Sequence, residues 1–263
     1  MKTLYTALTL GLLAANSFAN NVSAQVSSGD LNLQGDSANN SVRITRNALA
    51  VRVTGLNGTR VNGLPFVTLP AGPLVNVSAL MEGGNDSVFL NGITIDGDFN
   101  LEGGQGNDLL NMVSSVARNG FNFKGENGND RIELGNSQAL GDISFDLGEG
   151  TNSMRVENFT AGSNVYVKSG DSADTFALGG FRAGGDLSIE SGKGNDAISL
   201  VNAVIGVSFF AALDEGADRL AATSVTTGLD FSVDAGAQND VVTLTRIAAR
   251  GNVNANVGDG NDT

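Results

Sequence analysis

The chain of 263 residues has no cysteine, no histidine, no tryptophan and only 3 prolines. Without thiols or imidazoles there is no disulfide framework, no Cys/His zinc site, no thiol nucleophile and no histidine acid–base chemistry. Bases are scarce too: 15 Lys and Arg stand against 28 Asp and Glu, for a formal charge of −13. Such a chain repels nucleic acid and anionic membrane and favours cations. Glycine is abundant at 36, yet no strict Gly-X-Y triplet runs, which excludes collagen. Long apolar runs are missing, and the best one lies at the N-terminus. There MKTLYTALTLGLLAANSFANNVSAQ offers Lys2, an apolar stretch over 4–15 and two small-residue cleavage patterns, Ser17-Phe18-Ala19 and Val22-Ser23-Ala24. Too short for a membrane span, it reads as a signal peptide over 1–24. Its removal takes away one Lys and no acid, leaving −14. The expected location is secreted, periplasmic or cell-surface, with no nucleic-acid partner and no integral membrane span.

What is present is periodic. Asp86, Asp108, Asp130, Asn152, Asp174, Asp196, Asp218, Asp240 and Asp262 stand 22 residues apart without a slip. A fixed period in this range marks a solenoid. The same register sorts apolar residues into three alternating pairs per repeat, such as Phe121/Phe123, Ile132/Leu134 and Phe159/Ala161. Alternation is the pattern of a strand with one buried face. The expected fold class is therefore all-β: a single-stranded parallel β-helix with three short strands per 22-residue coil. An antiparallel sandwich has no reason to hold one period through nine copies.

The N-terminal part is less regular. GDLNLQGDSANNSVRI (29–44) reads as a coil with Asn40 in the aspartate slot. AVRVTGLNGTRVNG reads as a β-hairpin turning at Leu56-Asn57-Gly58 and carrying Arg52 and Arg60, laid over the first coil as a cap. The expected division is a signal peptide over 1–24, a capping coil and hairpin over 25–74, and a β-helix over 75–263 whose last coil is incomplete.

In a solenoid, column residues are neighbours across coils. Asn76, Asp98, Gly120, Asp142, Asn164, Asp186, Ser208, Asp230 and Asn252 alternate acid with neutral, and Glu102, Lys124, Asp146, Lys168 and Glu190 alternate in sign. Both read as charge management. The Asp108 column does not alternate, and adjacent carboxylates repel by roughly 1 kcal/mol in water and more at lower dielectric. Two readings offset this. Each Asp accepts hydrogen bonds from its own turn, as an Asx-turn does, which suits the Asn at 40 and 152. Or a cation, Ca²⁺ first among them, lies between adjacent turns.

Residues 103–110, GGQGNDLL, resemble the RTX (haemolysin-type) nonapeptide GGxGxDxUx over its eight leading positions. The resemblance implies Ca²⁺ held by backbone carbonyls and the Asp carboxylate of stacked turns. Carried over, the metal positions are Asp86, Asp108, Asp130, Asp174, Asp196, Asp218, Asp240 and Asp262, with Gly103, Gly104, Gly106, Gly125, Gly128, Gly192 and Gly194 shaping the turns. RTX coils carry two such turns in 18 residues, whereas these carry one in 22. The longer coil looks like the repeat-rich secreted β-helix proteins of bacteria, pectate-lyase-like in architecture.

A glycan-cleaving β-helix needs converging carboxylates or bases, with aromatics to stack sugars. The outward position of the first strand reads Ser78, Asn100, Asn122, Ser144, Tyr166, Ser188, Phe210, Ser232 and Asn254, and no catalytic set emerges. Glu133 and Arg155, neighbours across coils, read as a surface ion pair. The expectation is an exported, non-enzymatic structural or adhesive solenoid whose partners are calcium, a surface glycan or a neighbouring protein domain. The alternative is a polysaccharide lyase or hydrolase, or its inactive sugar-binding relative.

Overall fold

A computed structural model describes residues 20–47, 50–70 and 72–263. The apolar stretch 4–15 of the expected signal peptide lies outside them. The chain is all-β, a parallel solenoid of about 8 turns with coils of about 22 residues and about three strands each. One coil illustrates the rest: a first strand Phe99–Gln105, a second Leu109–Val113 and a third Val116–Ala117. Each pairs in parallel with its equivalent 22 residues on, as in Phe99↔Phe121, Leu110↔Ile132 and Ala117↔Ala139. Backbone bonds thus run between coils, and the expected alternation fills the core. Phe99, Phe121, Phe176, Phe209 and Phe231 are fully buried. Rings stack along the axis, with Phe121 centred 5.1 Å from Phe99 and 5.0 Å from Phe145, and Phe159 parallel to Phe181 at 6.4 Å.

The corner between second and third strands has a conformational rule of its own. Gly92, Ser114, Asn136, Asn158, Gly180, Asn202, Ser224 and Arg246 all have φ between 47° and 61°. One left-handed residue per coil turns the chain, and Asn and Gly recur there because they tolerate that region best. Beside it, a hydroxyl column repeats: Ile93 N donates to Ser115 Oγ (3.2 Å) and Ser115 N to Ser137 Oγ (3.1 Å).

The N-terminal cap is built differently from the expected hairpin. Its strands are β1 (Asn21–Ser27), β2 (Asp30–Gln34), β3 (Ser41–Arg46), β4 (Ala50–Gly55), β5 (Arg60–Val61) and β6 (Phe66–Pro70). β2 and β3 stack on the coil that follows, through Leu31↔Val77 and Val42↔Val88. β4 does not pair with β5. It lies antiparallel between β3 and β6, with Val53 opposite both Ile44 and Val67. The Leu56-Asn57-Gly58 turn exists, closed by Thr59 N on Leu56 O at 2.8 Å. It delivers β5 to β1 instead, Val61 beside Val22. The reason is burial: Val51, Val53 and Val61 are all fully buried, and only separate partners let both segments face the core. β1 is antiparallel to β2, so both sheets end in non-repeating strands that cover the parallel edges. Arg52 lies over the Phe66 ring at 3.8 Å. The cap begins at Asn21, inside the stretch expected to be removed, with Val22 and Ala24 in the core.

Candidate functional site

The aspartate column is the only titratable set the fold draws into its interior among the described residues. Asp86, Asp108, Asp130, Asp174, Asp196, Asp218 and Asp240 are buried, as are Asn40 and Asn152 in the same slot. Asp262, in the last coil, is half-buried. At every aspartate of the column and at Asn152, Oδ1 accepts the backbone amide of the equivalent residue one coil earlier, whereas Asn40 Oδ1 accepts Asp36 N (3.2 Å) of its own turn. Asp86 N donates to Asp108 Oδ1 (2.8 Å), Asp108 N to Asp130 Oδ1 (2.8 Å), Asp130 N to Asn152 Oδ1 (2.8 Å) and Asp240 N to Asp262 Oδ1 (2.9 Å). The expected Asx-turn is therefore corrected. The carboxylate does not close its own turn but ties one coil to its neighbour, because the parallel stack brings that amide closer than any local one.

The preceding column runs the other way. Asn107 N donates to Asn85 Oδ1 (2.8 Å), Asn129 N to Asn107 Oδ1 (2.7 Å) and Thr151 N to Asn129 Oδ1 (2.8 Å). Adjacent residues of one turn thus hold the coil before and the coil after. The sequence signal was there, an Asn one position before the Asp in most coils. The Asp98 column is a third such ladder, with Gly120 N on Asp98 Oδ1 (2.8 Å) and Ser208 N on Asp186 Oδ1 (2.9 Å). Its acids alternate along the stack but share one structural task.

The second oxygen of the inner column is the anomaly. Oδ2 of Asp86, Asp108, Asp130, Asp174, Asp196, Asp218 and Asp240 is buried without a hydrogen-bond donor. Burial pushes the acids up, to about 7 at Asp86, Asp130 and Asp218 and about 6 at Asp108 and Asp174. Asp196 is raised for the same reason. The amide on Oδ1 opposes this, as do Ser169 beside Asp174 and Ser191 beside Asp196, without cancelling it. On the surface the sign reverses: the Ser163 hydroxyl and the Asn164 amide hold Asp142 below the usual carboxylate range.

The glycines follow from the backbone. Gly104, Gly106, Gly128, Gly192 and Gly194 have φ of 98°, 127°, 138°, 83° and 127°. A side chain at Gly106 would strike Gly84 O, and one at Gly128 would strike Gly106 O. Gly103 and Gly125 are needed for another reason, since Oδ2 of Asp108 and of Asp130 occupies the space a Cβ would take. Glu82, Glu126 and Asp214 adopt the same left-handed corner as Gly104 without being glycine.

Side chains alone do not make up the Ca²⁺ donor set that the RTX resemblance implies. Calcium takes six to eight oxygens, and the turn carbonyls each already accept one backbone amide, which leaves one lone pair apiece. Gln105 O accepts Gly84 N, Asn127 O accepts Gly106 N, Glu126 O accepts Glu149 N and Glu149 O accepts Gly128 N, all at 2.7–3.0 Å. Among the described residues no three acidic side chains gather closely enough to hold a metal. One carboxylate enters per turn, and successive turns are closed by backbone contact.

Outside, charge is paired locally. Glu133 is joined by Arg131 of its own strand and by Asn111 Nδ2 at 2.6 Å, so Arg155 is not its direct partner and pairs with Glu157. Lys124 bridges Glu102 (3.4 Å) and Glu126. The first-strand face carries an open trough of ≈ 450 Å³ lined by Asn100, Asn122, Ser144 and Lys124, and further along it Tyr166 and Phe210 stand 49% and 44% exposed. No helix among the described residues is long and apolar enough to cross a membrane. No family model, no curated protein and no solved structure matches the chain. The class that the fold defines is the parallel β-solenoid.

Proposed function

We propose that the chain is an exported, non-enzymatic solenoid that acts as a rigid rod in a structural or adhesive assembly. The observation that carries this is the unbroken residue-for-residue register from Val77 to Asn256, where columns of side chains serve to tie one coil to the next. A rod of about 8 turns at roughly 4.8 Å per coil spans about 40 Å. Export is supported by the leader and by its fit to the cap. Cleavage after Ala19 leaves β1 whole, whereas cleavage after Ala24 would strip Val22 and Ala24 from the core.

A second reading, a sugar-binding relative of polysaccharide-acting β-helices, is favoured by one feature. Tyr166 and Phe210 occupy one outward column two coils apart, with Ser188 between them. That separates the rings by roughly 10 Å, a spacing on which a glycan chain stacks. The purified mature chain, incubated with a panel of plant and bacterial polysaccharides, is expected to release no new reducing ends or unsaturated products, and small-angle scattering to report an elongated particle. Cleavage of a defined glycan would overturn the non-enzymatic reading. Glycan binding lost in Tyr166→Ala and Phe210→Ala would select the sugar-binding one.

A further inference from the structure

The slot at Asn152 displays what the aspartate slots lack. Asn152 Oδ1 accepts the amide of Asp130, and its Nδ2 donates to Gly150 O (2.9 Å), Gly148 O (3.1 Å) and Ser169 Oγ (3.2 Å). Asn40 Nδ2 likewise donates to Ala38 O at 2.7 Å and to Asp36 Oδ1 at 2.9 Å. Asn152 has its Oδ1 anchored as the aspartates do, and the other end of its buried side chain faces acceptors. A carboxylate there sets oxygen against oxygen at atoms buried from solvent, which an orphan acceptor cannot sustain cheaply. A carboxylic acid has the pattern of a carboxamide: one oxygen accepts, the other donates.

We propose that the inner column is closed by protons instead of calcium: at Asp86, Asp108, Asp130, Asp174, Asp196 and Asp218 the Oδ2 atom carries a hydrogen and donates it to the turn carbonyls, as Asn152 Nδ2 does. The groups acting on these residues through space are all acidic. Asp36 and Asp108 face Asp86, Asp108 faces Asp130, Asp196 and Glu149 face Asp174, and Asp196, Asp240 and Asp214 face Asp218. No lysine or arginine neutralises them, so losing one proton makes its neighbours' protons harder to lose, and the column titrates as a coupled set.

The solenoid then carries a pH response. Folded-state affinity for these protons exceeds that of the unfolded chain, whose aspartates titrate near ~3.9. The stabilisation is fully present below that value and is lost as pH rises through about 6 to 7, the range to which burial raises Asp108, Asp174, Asp86, Asp130 and Asp218. Carboxylates in water titrate near ~4, below this window.

The test is thermal melting of the mature chain, with wild type, Asp108→Asn, Asp130→Asn and the double variant compared between pH 5 and pH 8. Asp146→Asn, on the exposed face, serves as the control for net charge. Tm of the wild type is expected to fall from pH 5 to pH 8, and each Asn substitution in the column to raise Tm at pH 8 while changing little at pH 5. Asp146→Asn should reproduce neither effect. Infrared spectra at pH 5 should contain a protonated-carboxyl band that the double variant reduces by about a third, two of six acids. Calcium at millimolar concentration should leave Tm unchanged. The inference is overturned if Tm rises over this range, if Asp130→Asn lowers Tm at pH 8, or if calcium raises Tm in the wild type and not in the Asn variants. None of these outcomes bears on whether the rod is an enzyme.

Discussion

Truncating Phe121 to alanine probes the stacked core at its most committed point. The ring is fully buried and lies between Phe99 at 5.1 Å and Phe145 at 5.0 Å, the latter edge-on at 89°. Removing a buried phenylalanine costs about 3–5 kcal/mol in transfer and cavity terms. Neighbouring coils are held in register by their ladders, so the space collapses poorly and the upper half, about 4–5 kcal/mol, applies. Each coil touches only its neighbours, so the lesion falls on the two interfaces that join the coils of Phe99 and Phe145 to that of Phe121. Equilibrium urea unfolding followed by far-ultraviolet circular dichroism reads the loss directly. With a slope of about 3 kcal/mol per molar urea, the midpoint should fall by about 1.5 M. Hydrogen exchange should rise first in the coils flanking residue 121. Val253→Ala, at a position 53% exposed on the last strand, should cost less than about 0.5 kcal/mol. A midpoint shift below about 0.5 M for Phe121→Ala, or equal losses at the two positions, would refute the stacked-core account.

Two further outcomes follow. Gly128→Ala puts a side chain at φ 138° against Gly106 O and should cost at least about 2 kcal/mol, whereas Gly72→Ala, with open space around it, should be neutral in the same melts. Glu133→Gln removes the charge that pairs with Arg131 and leaves a neutral acceptor for Asn111 Nδ2. It should change stability by less than about 1 kcal/mol, with the difference shrinking in 1 M salt.

The architecture was legible because a solenoid repeats its environment: the residue at any slot meets its own equivalent, so one period exposes both core and ladders. The aspartates and the three apolar pairs lie where the period puts them. The cap was not legible in the same way, since it repeats nothing. The alternation of AVRVT fits either neighbour equally, and Asn57-Gly58 is the stronger turn signal, so the pairing of β4 with β3 and β6 depends on partners outside the segment. The role of the Asp was half legible. Regular stacking could be read from the column, but its burial could not; the hydrogen bond it accepts comes from an amide 22 residues away, and local turn chemistry suggested a nearer one. The glycines were legible as a repeated turn because left-handed corners and close backbone approach demand that residue.

The opposed polarity of the Asn107 and Asp108 columns constrains how such a molecule can change. Every bond in both closes over one complete coil, so duplication of a whole repeat adds a rung and leaves all existing ones intact. A single inserted residue would instead throw every later strand onto its wrong face and misalign the forward and backward ladders together. Length can therefore vary freely in descendants of this chain, but only in whole steps.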